Sequence, residues 1–344
     1  MACEGVVATP KNGTSNAASG SSTSCALVKR AVYGVGTNLR NPVAYADDES
    51  LAHVAGRTVV VYDATKKRQS FLHVPNQVKK IRAMAVHAGS KSIAIAVSNG
   101  EDASAVLVYD AESLKKKKTL RRAERKQTPV TTASVTTGSL NSMKPSTDDE
   151  MDIDGLAFSA DGSSILGYSS SAETLARWNV ADGSVAELAS QRPNIVAGGS
   201  SRRDGNTTES RIVEAQFSSR DEDVVSAICT SGVFKLYRAQ GKILKPFVVK
   251  TLNELQKDVG RRAVAHVWLD DDDGHVAIGT DANSVIILNG ETIVCTVRVG
   301  ARLPGAMTMK AFGGGFIVAG NGGEIIFVEK VARRDGSSAY EVSK

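Results

Sequence analysis

One arrangement of apolar and polar positions returns along the chain: an apolar run, a turn of small residues, then an alternating strand that closes on a polar residue. It occupies residues 51–63, 93–110, 165–179, 224–238, 276–289 and 316–329. Most copies open on a lead strand of alternating polarity, as in Ala83-Met-Ala-Val-His87, Gly155-Leu-Ala-Phe158, Glu214-Ala-Gln-Phe217 and Ala265-His-Val-Trp268. Such alternation lines one face of a strand with core side chains. The turn that follows puts glycine after aspartate in Ser159-Ala-Asp-Gly-Ser163 and Asp270-Asp-Asp-Asp-Gly274, a strong hairpin signal. The next strand is almost wholly apolar or small, as in Val225-Ser-Ala-Ile-Cys229 and Val276-Ala-Ile-Gly279, which predicts burial on both faces. A third strand alternates again, as in Gly232-Val-Phe-Lys-Leu-Tyr-Arg238.

Matching positions Tyr62, Tyr109, Trp178, Tyr237 and Leu288 recur at intervals of 47, 69, 59 and 51 residues. The two longest intervals contain low-complexity stretches at residues 119–150 and 197–210. Without them the period nears the roughly 40–45 residues of a four-stranded propeller blade. Insertions between blades cost little, because loop-closure entropy grows slowly with length. Residues 254–259 could form one short helix, but no segment keeps a 3.6-residue period for several turns. The prediction is therefore all-β: a WD-repeat-type β-propeller over residues 31–344, with six recognisable blades that either close as six or form an incomplete seven-bladed ring. Val32-Tyr-Gly-Val-Gly36 stands ahead of the first copy, where a strand completing the last blade would lie. Residues 1–30, poor in apolar side chains, are expected as a disordered tail.

Composition narrows the classes. With 344 residues, 42% of them hydrophobic, the chain is long enough for one substantial core or two small ones. A formal charge of +5 is small for this length, so a basic footprint over a whole face is not indicated. Cys3, Cys25, Cys229 and Cys295 show neither C-x-x-C spacing nor neighbouring histidines, which points to reduced cytosolic thiols and no metal site. No apolar run approaches the ~18 residues of a membrane span.

The third strands end Val-Val-Val-Tyr-Asp63, Val-Leu-Val-Tyr-Asp110 and Ala-Arg-Trp-Asn179, which look like degenerate WD repeats without their opening Gly-His element. Three further stretches carry a narrower likeness. These are Val32-Tyr-Gly-Val-Gly36 with residues 41–55, Thr230-Ser-Gly-Val-Phe-Lys-Leu-Tyr-Arg238, and Ala265-His-Val-Trp268 followed by Val276-Ala-Ile-Gly-Thr-Asp281. In this order they resemble the amino-terminal propeller of the cilia- and flagella-associated protein 57 family, over about residues 32–328. The resemblance implies a non-enzymatic axonemal protein of motile cilia and flagella that assists assembly or regulation of inner dynein arms. It also implies axonemal partners, tubulin among the candidates, with no cofactor, small-molecule substrate or membrane. Members of that family look like two propellers followed by a long coiled coil, and this chain holds no heptads.

Catalytic chemistry finds little support in the residues. His53, His73, His87, His266 and His275 fall in strands or beside turns of separate repeats, and His266 reads as a core histidine. Gly313-Gly-Gly315 and Gly320-Asn-Gly-Gly323 lead into strands and lack the Lys-Ser/Thr ending of a phosphate loop. Residues 270–273 are four aspartates without the ligand spacing of a calcium loop, and read as a solvated hairpin tip. The one candidate contact surface is a basic run of Lys115, Lys116, Lys117, Lys118, Arg121, Arg122, Arg125 and Lys126, suited to an acidic partner or else a solvated loop. Two other function classes stay open: a generic cytosolic or nuclear adaptor in a protein or RNA complex, and a propeller hydrolase, for which no converging acidic and histidine set is visible.

Overall fold

A computed structural model describes residues 30–36, 39, 42–99, 104–122, 152–170, 174–188, 211–250, 262–271, 274–299, 306–320, 323–333 and 338–343. The expected tail, the insertion at 197–210 and the short helix at 254–259 lie outside the described residues. Twenty-four strands form six four-stranded antiparallel blades in chain order. Blade one holds β1 (Val43–Tyr45), β2 (Ser50–Ala55), β3 (Thr58–Asp63) and β4 (Arg68–Phe71). Blade two holds β5 (Lys80–His87), β6 (Ser92–Ser98), β7 (Ala105–Asp110) and β8 (Lys116–Leu120). Blade three holds β9 (Gly155–Phe158), β10 (Ser164–Ser169), β11 (Thr174–Asn179) and β12 (Val185–Leu188). Blade four holds β13 (Ile212–Phe217), β14 (Val224–Cys229), β15 (Phe234–Gln240) and β16 (Ile243–Lys250). Blade five holds β17 (Ala263–Trp268), β18 (Val276–Thr280), β19 (Ser284–Asn289) and β20 (Thr292–Arg298). Blade six holds β21 (Ala306–Phe312), β22 (Gly315–Gly320), β23 (Ile325–Ala332) and β24 (Ser338–Val342). The outer strands of blades three and four also pair in parallel, at Glu187 with Ile243 and Leu188 with Leu244.

The repeat register seen in the sequence is the pairing register. Tyr62 lies opposite Leu51, Tyr109 opposite Ile93, Trp178 opposite Ile165, Tyr237 opposite Val225 and Leu288 opposite Val276. The polar residue that ends the third strand has a local task. Asp63 accepts the Lys66 N–H, Asp110 the Ser113 N–H, and Asn179 the Ala181 N–H, each at 2.8 Å. These side chains satisfy turn donors that the strand ladder leaves over. The aromatic before them reaches sideways: Tyr109 donates to the His73 carbonyl at 3.0 Å and Trp178 to the Arg121 carbonyl at 3.0 Å, each tying its blade to the preceding one.

Five apolar cores lie between successive blades, and the second strands feed cores on both sides. In β14, Ala227 packs toward blade three while Ile228 packs toward blade five, and both are fully buried. In β19, Ile286 faces blade four and Ile287 faces blade six. The largest buried side chains, Trp178, Tyr109, Tyr237, Phe234 and Phe316, all sit in these interfaces.

No such core joins blade six to blade one among the described residues. On the second face of blade six, Ile325, Phe327 and Val331 are 61%, 36% and 41% exposed, and on β1 Val43 and Tyr45 are 45% and 71% exposed. The last blade supplies all four of its own strands, so residues 32–36 do not complete it. They lie instead on blade one, where the Gly36 N–H reaches the Val54 carbonyl at 2.7 Å and the Val32 N–H reaches the Gln69 side chain at 2.8 Å. Among the described residues the blades number six, and no apolar core covers the seam between blade six and blade one.

Two predictions follow from this packing. The sequence places an insertion at 119–150, but Thr119 and Leu120 belong to β8, with Leu120 buried between blades two and three. Deleting residues 123–151 should leave the melting temperature within a few degrees, whereas a deletion that starts at 119 should lose about 2–5 kcal/mol through Leu120; denaturant melts of the two forms compare them. At the seam, exposed apolar faces and strand edges favour association. Light scattering of the purified chain should show concentration-dependent oligomers that Ile325→Ser with Phe327→Ser suppresses, and a monomer at every concentration would mean that the ring closes over these residues.

Candidate partner-binding site at the channel mouth

The innermost strands of blades two, four, five and six carry a bulge at the same rung: between Ile81 and Ala83, Ile212 and Glu214, Ala263 and Ala265, and Ala306 and Thr308. An extra residue at such a site leaves the ladder and re-aims its side chain. Arg82 and Val213 are two of these extra residues, and Asp154 takes the matching place in blade three, one residue ahead of β9. All three line a cavity of about 170 Å³ at the inner edge of blades two to four, with Leu39, Lys80, Tyr168 and Ser170.

Its floor is a saturated ion pair. Arg82 donates from Nε to Asp154 Oδ1 at 3.0 Å and from Nη2 to the same oxygen, while its Nη1 lies 3.2 Å from Asp152 Oδ2. The other Asp154 oxygen accepts the Ser170 N–H at 2.8 Å and the Ser170 hydroxyl at 2.6 Å. Burial alone would raise the Asp154 pKa, but the Ser170 bonds and the Arg82 guanidinium outweigh it and hold the carboxyl below its usual range. Gly155 makes room for the wall: a Cβ there would stand 1.9 Å from Tyr168 Cζ, where other blades carry Ala83, Glu214 and Ala265.

Two residues before the bulge, the same rung carries Lys80, Asp152, Arg211 and Arg262 in blades two to five. Asp152 is held by Arg82, and by the Ser104 hydroxyl at 3.3 Å. Lys80, Arg211 and Arg262 are exposed, and no side-chain partner is found for them among the described residues. Their backbones are fixed by the neighbouring loop: the Arg211 N–H donates to Thr230 Oγ1 at 3.2 Å and the Arg262 N–H to Asp281 Oδ1 at 3.1 Å. Gly232, at φ +80°, lets that loop approach Arg262, whose Cα would be 2.8 Å from an added Cβ. Periodicity and composition do not single out these residues. Their signal is the triplet ahead of each lead strand, Lys80-Ile-Arg82, Asp152-Ile-Asp154, Arg211-Ile-Val213 and Arg262-Ala-Val264.

The basic run lies elsewhere, on the outer strand β8. Lys117 pairs with Asp110 at 2.9 Å, Lys118 donates to the Val180 carbonyl at 3.1 Å, and Arg122 grips Glu187 with two bonds of 2.8 and 3.0 Å. Lys118 and Arg122 thus join blade two to blade three, while Lys117 pairs within blade two. Lys115, Lys116 and Arg121 are exposed with no described side-chain partner, while Arg125 and Lys126 lie outside the described residues. Lysines on an outer strand also discourage edge-to-edge pairing.

Two buried polar sets use residues of catalytic type for packing. His266 Nε2 lies 2.7 Å from Ser226 Oγ, and its Nδ1 lies 3.3 Å from Glu214 Oε2 without hydrogen-bond geometry. The order of groups is that of a hydrolytic triad, but Ser226 and His266 are fully buried and Ser226 Oγ also accepts the Trp268 indole N–H at 2.8 Å. A sealed nucleophile has no access to substrate, so this set ties blade four to blade five. The second set contradicts the solvated-tip reading for Asp271, though Asp270 is exposed. Asp271 accepts the His275 N–H at 3.0 Å, the Tyr340 hydroxyl at 2.7 Å and a short contact from the His275 ring, while its carbonyl accepts Arg220 Nε at 3.1 Å. One aspartate thereby links blades four, five and six.

These features define an all-β propeller built of four-stranded blades. Solved structures agree on the fold. The chain is similar to the β-propeller domain of Cps50 (Swd1) from Myceliophteria thermophila, at 12% identity and a TM-score of 0.54, over 79% of this chain and 72% of that one. It is similar also to a chain of a mitotic checkpoint complex, at 14% identity and a TM-score of 0.56, over 91% of this chain and 82% of that one. No protein-family model matches the chain, and no curated protein matches it in sequence. The likeness to cilia- and flagella-associated protein 57 therefore rests on the quoted stretches alone.

The Asp271 junction makes a pH prediction. Burial would raise this carboxyl, but the His275 N–H, the Tyr340 hydroxyl and the His275 ring outweigh it and draw the pKa down to about 2. A folded-state pKa below the unfolded value of about 3.9 stabilises the fold above pH ~4 and ceases to do so as pH falls through about 2. Asp271→Ala should lose about 1–3 kcal/mol at neutral pH. The gap from wild type should narrow between pH 4 and 2 in denaturant melts; a gap independent of pH would remove the carboxylate from the account.

Proposed function

We propose that this chain is a non-catalytic scaffold of the axoneme in motile cilia and flagella, docking proteins on the rim of its channel and assisting assembly or regulation of inner dynein arms. The observation that carries the docking part is the contrast between sealed and open polar groups. Ser226, His266 and Asp271 are spent on joining blades, whereas Lys80, Arg211 and Arg262 hold exposed charges at one rung of the inner strands, with Lys80 at the edge of a small cavity. Axonemal placement is supported by the ordered sequence stretches, of which one runs into β15 and another falls on the β17–β18 hairpin. Partners on this reading are inner dynein arm proteins or their regulators, with tubulin a candidate for the free cations Lys115, Lys116 and Arg121 on the outer strand.

A second reading is a cytosolic or nuclear adaptor, supported by the fold it shares with a propeller described as part of a mitotic checkpoint complex. Detergent extraction of flagella from cells carrying the tagged chain separates the two. Retention in the axonemal pellet, released only by high salt, is the expected result. Recovery in the cell body or the detergent-soluble fraction would favour the adaptor.

A further inference from the structure

We propose that the channel mouth binds a short acidic segment of a partner protein, with Lys80, Arg211 and Arg262 pairing with its carboxylates. This rests on the docking reading above but not on the axonemal placement.

Charge at the rim is the first argument. The three cations occupy one structural rung on blades two, four and five, so they encircle a common axis and are not scattered over the surface. Lys79, also exposed, adds a fourth beside Lys80. The carboxylates nearby are already engaged: Asp152 and Asp154 by Arg82, and Asp281 by the Arg262 N–H. With Glu214 engaged by the His266 N–H at 3.1 Å, five cations including Arg82 stand against four engaged carboxylates, and the exposed cations have no side-chain partner among the described residues. Such a rim attracts anions, and its cost of desolvation is small because the side chains stay in water.

The kind of anion follows from what else lines the mouth. Single-stranded nucleic acid is held by stacking bases on exposed aromatic rings. The one aromatic side chain on the cavity wall, Tyr168, is 5% exposed and packed into the core between blades three and four. A cavity of about 170 Å³ with an apolar side, Leu39 and Val213, and a cationic edge, Lys80, accepts a side chain with an aliphatic stem and a carboxylate end. Glutamate has that form. Cations on separate blades then take further carboxylates along an extended peptide, each pair weak and the set additive.

The probe is a fluorescein-labelled peptide of alternating glutamate and glycine, titrated against the whole chain by anisotropy. Binding that weakens steeply as salt rises is expected. Lys80→Glu, Arg211→Glu and Arg262→Glu should each weaken it about threefold to tenfold, with melting temperatures unchanged because all three side chains are exposed. The triple variant should not bind, while Lys115→Glu with Lys116→Glu on the outer strand should bind as wild type. The proposal is overturned if wild type shows no saturable binding, if the triple variant binds equally, or if the outer-strand variant is the one that fails. Tighter binding of an oligothymidine probe through the same three residues would also overturn it, in favour of nucleic acid.

Discussion

Blades two to five depend on having both faces covered by apolar neighbours. A four-stranded sheet with continuous apolar strands such as β6, β10, β14 and β18 has no polar side to give to water. Radial repetition solves this, because each blade becomes the cover for two others. The arrangement also explains why the repeated third-strand aromatic is large and carries a polar atom. Its ring fills the interface while its O–H or N–H reaches back to the previous blade, as Tyr109 and Trp178 do. Where the series stops, the same rule leaves Ile325, Phe327 and Tyr45 in contact with solvent.

Polar side chains work within that constraint. Burial between blades deprives polar groups of water, and several of them are met instead by groups from adjoining blades. Ser226 with His266 and Trp268, and Asp271 with His275, Tyr340 and Arg220, are junctions of this kind. Residues that resemble catalytic groups in the sequence are here consumed by assembly. Burial is what distinguishes the two uses, and Ser226 at the centre of an interface is unavailable to a substrate.

The inner rim is under the opposite condition. A bulge at one rung of blades two, four, five and six takes a residue out of the ladder, so side chains there need not be apolar. Evolution of binding at such a place leaves the cores untouched, since Ile81, Ile153, Ile212 and Ala263 beside the rim residues remain buried. Scaffold and site are thus separated by a single residue along the chain.

The repeat, the strand order and the burial of the second strands were legible in the sequence because they depend on local periodicity, which survives in each copy. So was the role of His266 as a core histidine. The channel mouth was not legible, because Lys80, Arg211 and Arg262 are far apart in sequence and become one rung only through strand pairing. The basic run shows the converse: its eight cations lie close together in sequence, yet Lys118 and Arg122 are committed to groups of blade three that only the packing of blades two and three supplies. Likewise the place of residues 32–36 depended on which blade had an unfilled position, and blade six, with β24, had none. Periodicity determines what a strand buries; the assembled ring determines what stands beside it, because contacts between blades join residues that no local pattern connects.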